Sequence, residues 1–141
     1  STKSIVKNKT IILIDDSLVR GTTSHKIVKM LYEAGAKDVH VRIACPEIRF
    51  PDFYGVDMPT KNELLAHKKN NAEMCEYIKA KSLKFLSLDG LYAGLEQGKR
   101  NNIYPQFSDH FFTGDYPVKP SDNLGELKIT QLSLLSSKSN N

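Results

Sequence analysis

Asp15 and Asp16 are adjacent carboxylates, and Ser17, Gly21, Thr22, Thr23 and Ser24 follow close behind them. Carboxylates hold hard cations such as Mg²⁺ and accept hydrogen bonds from sugar hydroxyls. Small and hydroxylated residues at the start of a helix offer N–H and O–H donors to an anion, and the helix dipole adds about half a positive charge there. Two carboxylates beside a bare phosphate would repel it. A ribose phosphate with Mg²⁺ satisfies both halves of the pattern. The plainer alternative is that the acids cap a helix and the threonines form a polar turn.

The neighbouring residues say what positions this segment. Ile11, Ile12, Leu13 and Ile14 form an apolar, partly β-branched run, which predicts a strand over 10–15 buried on both faces. Such a strand delivers the acids to the rim of a parallel sheet, where open α/β sheets bind their ligands. Ile27, Leu31 and Ala34 have helical spacing, so a helix is expected over 23–34, with Gly35 placed to end it in the left-handed conformation. Val39, Val41 and Ile43 alternate with polar residues and predict a second strand, joined by a right-handed parallel crossover.

Pro46, Pro51, Pro59, Gly55 and Asp57 exclude a helix over Cys45–Pro59. A loop of this length is an active-site element or lid, or a packed surface loop held by Phe50, Phe53 and Tyr54. Thr60 and Glu63 have capping-box spacing ahead of Leu64, Leu65 and Ala66. A helix near 71–80 turns Met74, Cys75 and Ile78 inward, Leu83 to Leu88 predict a third strand, and Asp89 is placed to cap a short helix through Leu95. Past Gln97 the chain reads as irregular, anchored by Phe107, Phe111 and Phe112, and Leu132 to Asn141 reads as a frayed end.

With 141 residues, 40% hydrophobic and 26% charged, the chain has material for one core. A net charge of +4 and a pI near 9.0 fit an anionic ligand, but the lysines are scattered and do not make a nucleic-acid surface. No stretch reaches the roughly 20 apolar residues of a membrane span and no signal-peptide core is evident, so a cytoplasmic location is expected. Cys45 and Cys75 lack metal-ligand spacing and are expected as reduced, half-buried thiols.

The string Asp15-Asp16-Ser17-Leu18-Val19-Arg20-Gly21-Thr22-Thr23-Ser24 resembles the phosphoribosyl pyrophosphate (PRPP) signature of type I phosphoribosyltransferases. Its particular version is similar to that of the amidophosphoribosyltransferases. The likeness continues through Glu33-Ala34-Gly35-Ala36-Lys37, Pro46-Glu47-Ile48-Arg49-Phe50-Pro51 and Tyr54-Gly55-Val56-Asp57-Met58-Pro59.

The resemblance implies an α/β protein with a partial type I phosphoribosyltransferase fold, a parallel sheet with flanking helices and an irregular C-terminal tail. Residues 1–96 would be the C-terminal part of the phosphoribosyltransferase domain and 97–141 an extension. In the family, ammonia released from glutamine displaces pyrophosphate from PRPP with inversion at C1, giving 5-phosphoribosylamine in the first step of purine synthesis. Ammonia is itself the nucleophile, so no catalytic base is implied. Asp15 and Asp16 would hold the ribose hydroxyls and Mg²⁺. Ser17, Leu18, Val19, Arg20, Gly21, Thr22, Thr23 and Ser24 would cradle the 5′-phosphate of PRPP or of inhibitory purine nucleotides. Arg49 and Asp57 would neighbour the site, and Leu64 falls where a residue lining the ammonia passage is expected, or is an ordinary core leucine.

Phe112-Thr113-Gly114-Asp115-Tyr116-Pro117 resembles a stretch of the family members that hold an iron–sulfur cluster. The positions of their cysteine ligands read Ser108, Phe111 and Asp52 here, which cannot supply four thiolates, so no iron–sulfur cluster is expected. Phe107, Phe111 and Phe112 are expected to pack in its place, and His110 is expected at the surface or at a cap.

The likeness covers roughly the last third of the family's length. The glutaminase domain and the first half of the phosphoribosyltransferase domain are missing from it, so the chain is expected to be a fragment inactive alone, completed in cis or in trans. Unpaired sheet edges imply self-association into a homo-oligomer. The alternatives are a noncatalytic module that binds PRPP or a nucleotide and, less favoured, a salvage phosphoribosyltransferase, which would still need the missing pyrophosphate loop.

Overall fold

Parallel pairing of three short strands organises the chain. A computed structural model describes residues 5–54 and 60–118. Asp57 and the chain from 119 onward, which includes the end expected to fray, lie outside the described residues. The elements are β1 (Thr10–Asp15), α1 (Thr22–Glu33), β2 (Asp38–Ile43), a 3₁₀ turn (Lys61–Glu63), α2 (Leu65–Lys68), α3 (Asn71–Ile78), β3 (Ser82–Phe85), α4 (Leu88–Gly94) and α5 (His110–Thr113). The sheet order is β1-β2-β3, with Leu13 beside Val41 and Ile43 beside Phe85. The α/β class with a parallel sheet and flanking helices is as expected.

One face of this sheet carries the core. Val39 and Val41 are fully enclosed, and Ile43 and Leu83 nearly so. Against them pack Val28 of α1 and Met74 and Ile78 of α3, with Leu18 from the loop after β1. Burying each such side chain contributes roughly 1.5–3 kcal/mol. The inward face of α1 runs through Ser24 and Val28, while Ile27 is only half-buried; the helix is rotated slightly from the expected stripe. Gly35 ends it at φ 94°, in the left-handed region.

Several expectations need correction. β1 is not buried on both faces: Ile12 is 65% exposed and Ile14 72% exposed, because among the described residues helices cover only the face of Ile11 and Leu13. An apolar run is a poor guide here, since it cannot say which other elements cover each face of the strand. The third strand stops at Phe85, and Leu86 is already exposed. The Thr60–Glu63 capping box forms but closes only a 3₁₀ turn, because Leu64 is extended before α2 begins. Ser87, not Asp89, caps α4, accepting from the Gly90 N–H at 3.0 Å.

The chain after Gln97 is less irregular than its composition suggests. Arg100 donates to Asp109 through Nε at 2.6 Å and Nη2 at 3.1 Å, and also reaches Asp115. The Tyr92 hydroxyl donates to the same Asp109 at 2.8 Å. Burial alone would raise the Asp109 pKa, but these donors outweigh it and hold the carboxyl below its ordinary value. Burial, and the bond to Asp109, push the Tyr92 phenol up.

The Arg100 and Asp109 side chains are 11% and 3% exposed, so Asp109→Ala removes the more deeply buried partner of Arg100 and leaves Asp115 as its carboxylate. Asp109→Ala is expected to cost about 3 kcal/mol, read by urea unfolding. Because the folded pKa of Asp109 is depressed, its contribution is complete above the ordinary carboxyl pKa of about 3.9 and is lost as pH falls below it. The difference between wild type and Asp109→Ala should therefore shrink in acid titrations below about pH 4.

Candidate functional site

The turn from β1 into α1 is held by three contacts. Leu18 inserts into the core and is 1% exposed. The Leu65 N–H donates to the Val19 carbonyl at 2.8 Å. Gly21 sits at φ 76°, and a Cβ there would lie 2.7 Å from Leu65 Cδ2 and 3.0 Å from the Tyr77 ring. The loop therefore lies on the start of α2 and the side of α3, while its other face stays open.

That open face is a cavity of about 290 Å³ lined by every residue from Asp15 to Ser24. The Asp16 N–H donates to Asp15 Oδ1 at 3.0 Å, and the Ser17 hydroxyl donates to Asp16 Oδ1 at 3.0 Å. Each bond engages one carboxylate oxygen. Asp15 and Asp16 are both among the residues that line the cavity.

Gly21 occupies the N-cap of α1, and no side chain caps the helix. The first intrahelical bond here is from the His25 N–H to the Gly21 carbonyl at 2.9 Å, so the donors of residues 21–24 precede the helical ladder. Thr22 and Thr23 are exposed beside them and Ser24 is buried. The lining thus combines two acidic residues with an uncapped helix start and its hydroxyl-bearing residues.

Arg20 differs from the rest of this set. Its Nε and Nη2 donate to Glu63 Oε1 at 3.2 and 3.1 Å, which ties the loop to the 3₁₀ turn. Hydrogen bonds from the Thr60 side chain and backbone, then from Arg20, hold the Glu63 carboxyl below its ordinary range. Glu63 was visible as a capping residue, but nothing in the sequence signals its reach across to Arg20.

Cys45, just past β2, is half-buried, and burial together with the facing Asp16 pushes its thiol up. Leu64 is fully enclosed, as a core leucine would be. Arg49 pairs with Glu47, and the Arg49 and Phe50 N–H groups donate to the Phe111 carbonyl at 2.9 and 3.1 Å. The described part of the proline-rich loop is therefore packed against the C-terminal segment.

The three positions that correspond to cysteine ligands of the cluster-holding relatives, Asp52, Ser108 and Phe111, converge on one side chain. His110 Nε2 donates to Asp52 Oδ1 at 2.8 Å, since a carboxylate only accepts, and His110 Nδ1 lies 3.2 Å from the Ser108 hydroxyl. The Phe111 ring centroid lies 4.1 Å from the imidazole, with Tyr116 and Tyr54 at 5.1 and 5.3 Å. His110 is only 2% exposed, which corrects its expected surface or capping place. Phe107 lies apart from it and packs on Tyr92.

A larger cavity of about 570 Å³ opens beyond the carboxyl end of β3, lined by Glu47, Arg49, Asn71, Lys84, Ser87 and Phe112 among others. The chemistry favours the smaller one, which alone gathers adjacent carboxylates and helix donors. Among the described residues no group of three or more His, Cys, Asp or Glu side chains could hold a metal, and no helix is long and apolar enough to cross a membrane.

Comparison with known proteins agrees with the order of these elements. No family model matches. An amidophosphoribosyltransferase of Rhizobium etli is 51% identical over 136 residues, which is 96% of this chain and 27% of that protein. A chloroplastic amidophosphoribosyltransferase of Arabidopsis thaliana is 46% identical over 121 residues, 86% of this chain and 21% of that protein. The solved glutamine PRPP amidotransferase of Bacillus subtilis, complexed with ADP and GMP, superposes with a TM-score of 0.75 at 42% identity, over 83% of this chain and 26% of that one. The chain spans about a quarter of these relatives, somewhat less than the third expected.

Replacing Gly21 tests how the bend is held. Gly21→Ala forces a side chain into the left-handed region and against Leu65, so a loss of about 1–2 kcal/mol is expected in thermal unfolding.

Proposed function

Because the chain is homologous along nearly its whole length to a C-terminal part of the amidophosphoribosyltransferase phosphoribosyltransferase domain, we propose that Asp15–Ser24 form its ribose-phosphate site. The observation that carries the reading is the single cavity lined both by two acidic residues and by an uncapped helix start. The N–H groups of Gly21, Thr22, Thr23 and Ser24 and the threonine hydroxyls bind a 5′-phosphate. Asp15 and Asp16 accept from the ribose hydroxyls. Leu18 and Val19 fix the backbone, and Arg20 clamps the loop from outside through Glu63.

The donor set fits Mg²⁺. Two carboxylates cannot complete its octahedron, which suits an ion that keeps waters and takes further oxygens from a substrate. When bound, Mg²⁺ would supply positive charge to a departing pyrophosphate. Asp15 and Asp16 would hold it, and the bend would fix the sugar's orientation.

In the intact amidophosphoribosyltransferase, which carries ammonia from glutamine to PRPP, this segment supplies the sugar-phosphate half of the synthase site. The chain alone holds that half-site and does not turn over. A glutaminase and the remaining part of the phosphoribosyltransferase domain complete it. Residues 1–96 belong to that domain, and 97–141 extend it through the Arg100–Asp109 clamp. The Asp52–His110 pair stands in place of an iron–sulfur cluster, consistent with the two cysteines lying at 45 and 75.

A second reading is a noncatalytic nucleotide-binding module. It is favoured by ADP and GMP in the Bacillus subtilis complex. The same cavity would then take a nucleoside monophosphate through its phosphate.

Isothermal titration separates these roles. Ribose 5-phosphate with Mg²⁺ is expected to bind, Thr22→Val with Thr23→Val to weaken binding about tenfold through lost hydrogen bonds, and Asp15→Asn with Asp16→Asn to abolish its Mg²⁺ dependence. No heat with wild type would remove the proposed site. PRPP with glutamine or ammonium is expected to give no phosphoribosylamine with the chain alone, and turnover would overturn its inactivity.

A further inference from the structure

Arg20 is the one basic residue among those lining the cavity of Asp15–Ser24, and its guanidinium is already engaged. Glu63 Oε1 accepts from Arg20 Nε at 3.2 Å and from Nη2 at 3.1 Å, while Glu63 Oε2 accepts from the Thr60 N–H and the Thr60 hydroxyl, both at 3.0 Å. Each oxygen thus serves one partner, so Arg20 can leave Oε1 while the capping box on Oε2 stays intact. The two side chains are 55% and 46% exposed. Ion pairs so open to water hold weakly, whereas a guanidinium grips a phosphate through strong charge-assisted bonds. The backbone of the bend does not depend on the pair, because Leu18 and the bond from the Leu65 N–H to the Val19 carbonyl fix it. A phosphate in the cavity and Glu63 therefore compete for one guanidinium carried by a fixed loop.

We propose that Glu63 is a built-in competitor of the phosphate: it holds Arg20 aside, yields it when a sugar phosphate binds, and takes it back as the ligand leaves. The amides and hydroxyls of the bend supply the constant part of the grip, and Arg20 supplies the exchangeable part. Glu63 thereby lowers the affinity of the site and shortens the ligand's stay, chiefly through the rate of release. It is a positioning residue, acting through Arg20 without touching the ligand. The inference rests on the ribose-phosphate reading of Asp15–Ser24 and adds to it the residue that sets the affinity.

Isothermal titration of the whole chain with ribose 5-phosphate and Mg²⁺ tests the exchange. Glu63→Gln keeps an acceptor for Thr60 and loses the charge, so it is expected to bind about threefold tighter than wild type, and Arg20→Gln about threefold weaker. In the Arg20→Gln background the Glu63 change should do nothing, since no guanidinium is left to release. Replacing a merely structural Glu63 would weaken binding. A gain of the same size without Arg20 would reduce the effect to plain charge repulsion. Either result overturns the proposal, as does an affinity that Glu63→Gln leaves unchanged.

A second readout follows Glu63 itself. Hydrogen bonds from the Thr60 side chain and backbone, then from Arg20, hold its carboxyl below the ordinary range. Followed by ¹³C NMR in the wild type, that carboxyl should titrate higher when ribose 5-phosphate is bound, because Arg20 has left it, and the rise should be largely lost in Arg20→Gln. A carboxyl that titrates at the same pH with and without the ligand overturns the exchange. Binding that shifts the amides of Gly21 to Ser24 with this carboxyl unmoved removes this inference alone. Absence of binding in wild type and Glu63→Gln alike removes the ribose-phosphate reading, and the exchange with it.

Discussion

The bend between β1 and α1 depends on one constraint, the burial of Leu18 between the sheet and its helices. With Leu18 fixed, the Val19 carbonyl meets the Leu65 N–H and Gly21 is pressed against Leu65 and Tyr77, where only a left-handed residue without a side chain fits. The loop then has a single open face. The acidic residues and the helix start both border that face. An apolar anchor in the middle of a polar loop thus sets the geometry of the cavity.

The same anchor explains how a small domain keeps an uncapped helix start. Unsatisfied N–H groups are costly when buried and inexpensive when open to solvent or to an anion. Two of the other helices have side-chain caps: Asn70 and Glu73 form a reciprocal box on α3, and Ser87 caps α4. α1 alone of the two longest helices begins on a bare glycine. A ligand with a phosphate would stabilise this end through its bonds to the protein, and so couple folding of the bend to binding.

Much of this was legible in the residues. Asp15 and Asp16 ending an apolar run, Gly35 closing a helix and the alternation of Val39, Val41 and Ile43 each report a local rule that the fold obeys. What was not legible depended on distant partners. Nothing local says which face of a strand the helices cover, so the exposure of Ile12 and Ile14 became visible only with the packing of the helices on the opposite face. His110 reads as a polar residue in a loop until Asp52, far away in sequence, is brought to its ring. The bond of Arg20 to Glu63, far away in sequence, likewise leaves no local signal. Long-range ion pairs and hydrogen bonds leave no periodic trace.

The most direct measurement of the central claim is a ¹⁵N-labelled amide spectrum of the chain during titration with ribose 5-phosphate and Mg²⁺. The backbone amides of Gly21, Thr22, Thr23 and Ser24 should shift together, with Asp15 and Asp16 responding only when Mg²⁺ is present. Shifts confined to amides near Lys84 and Arg49, or a spectrum unmoved at millimolar ligand, would contradict the account.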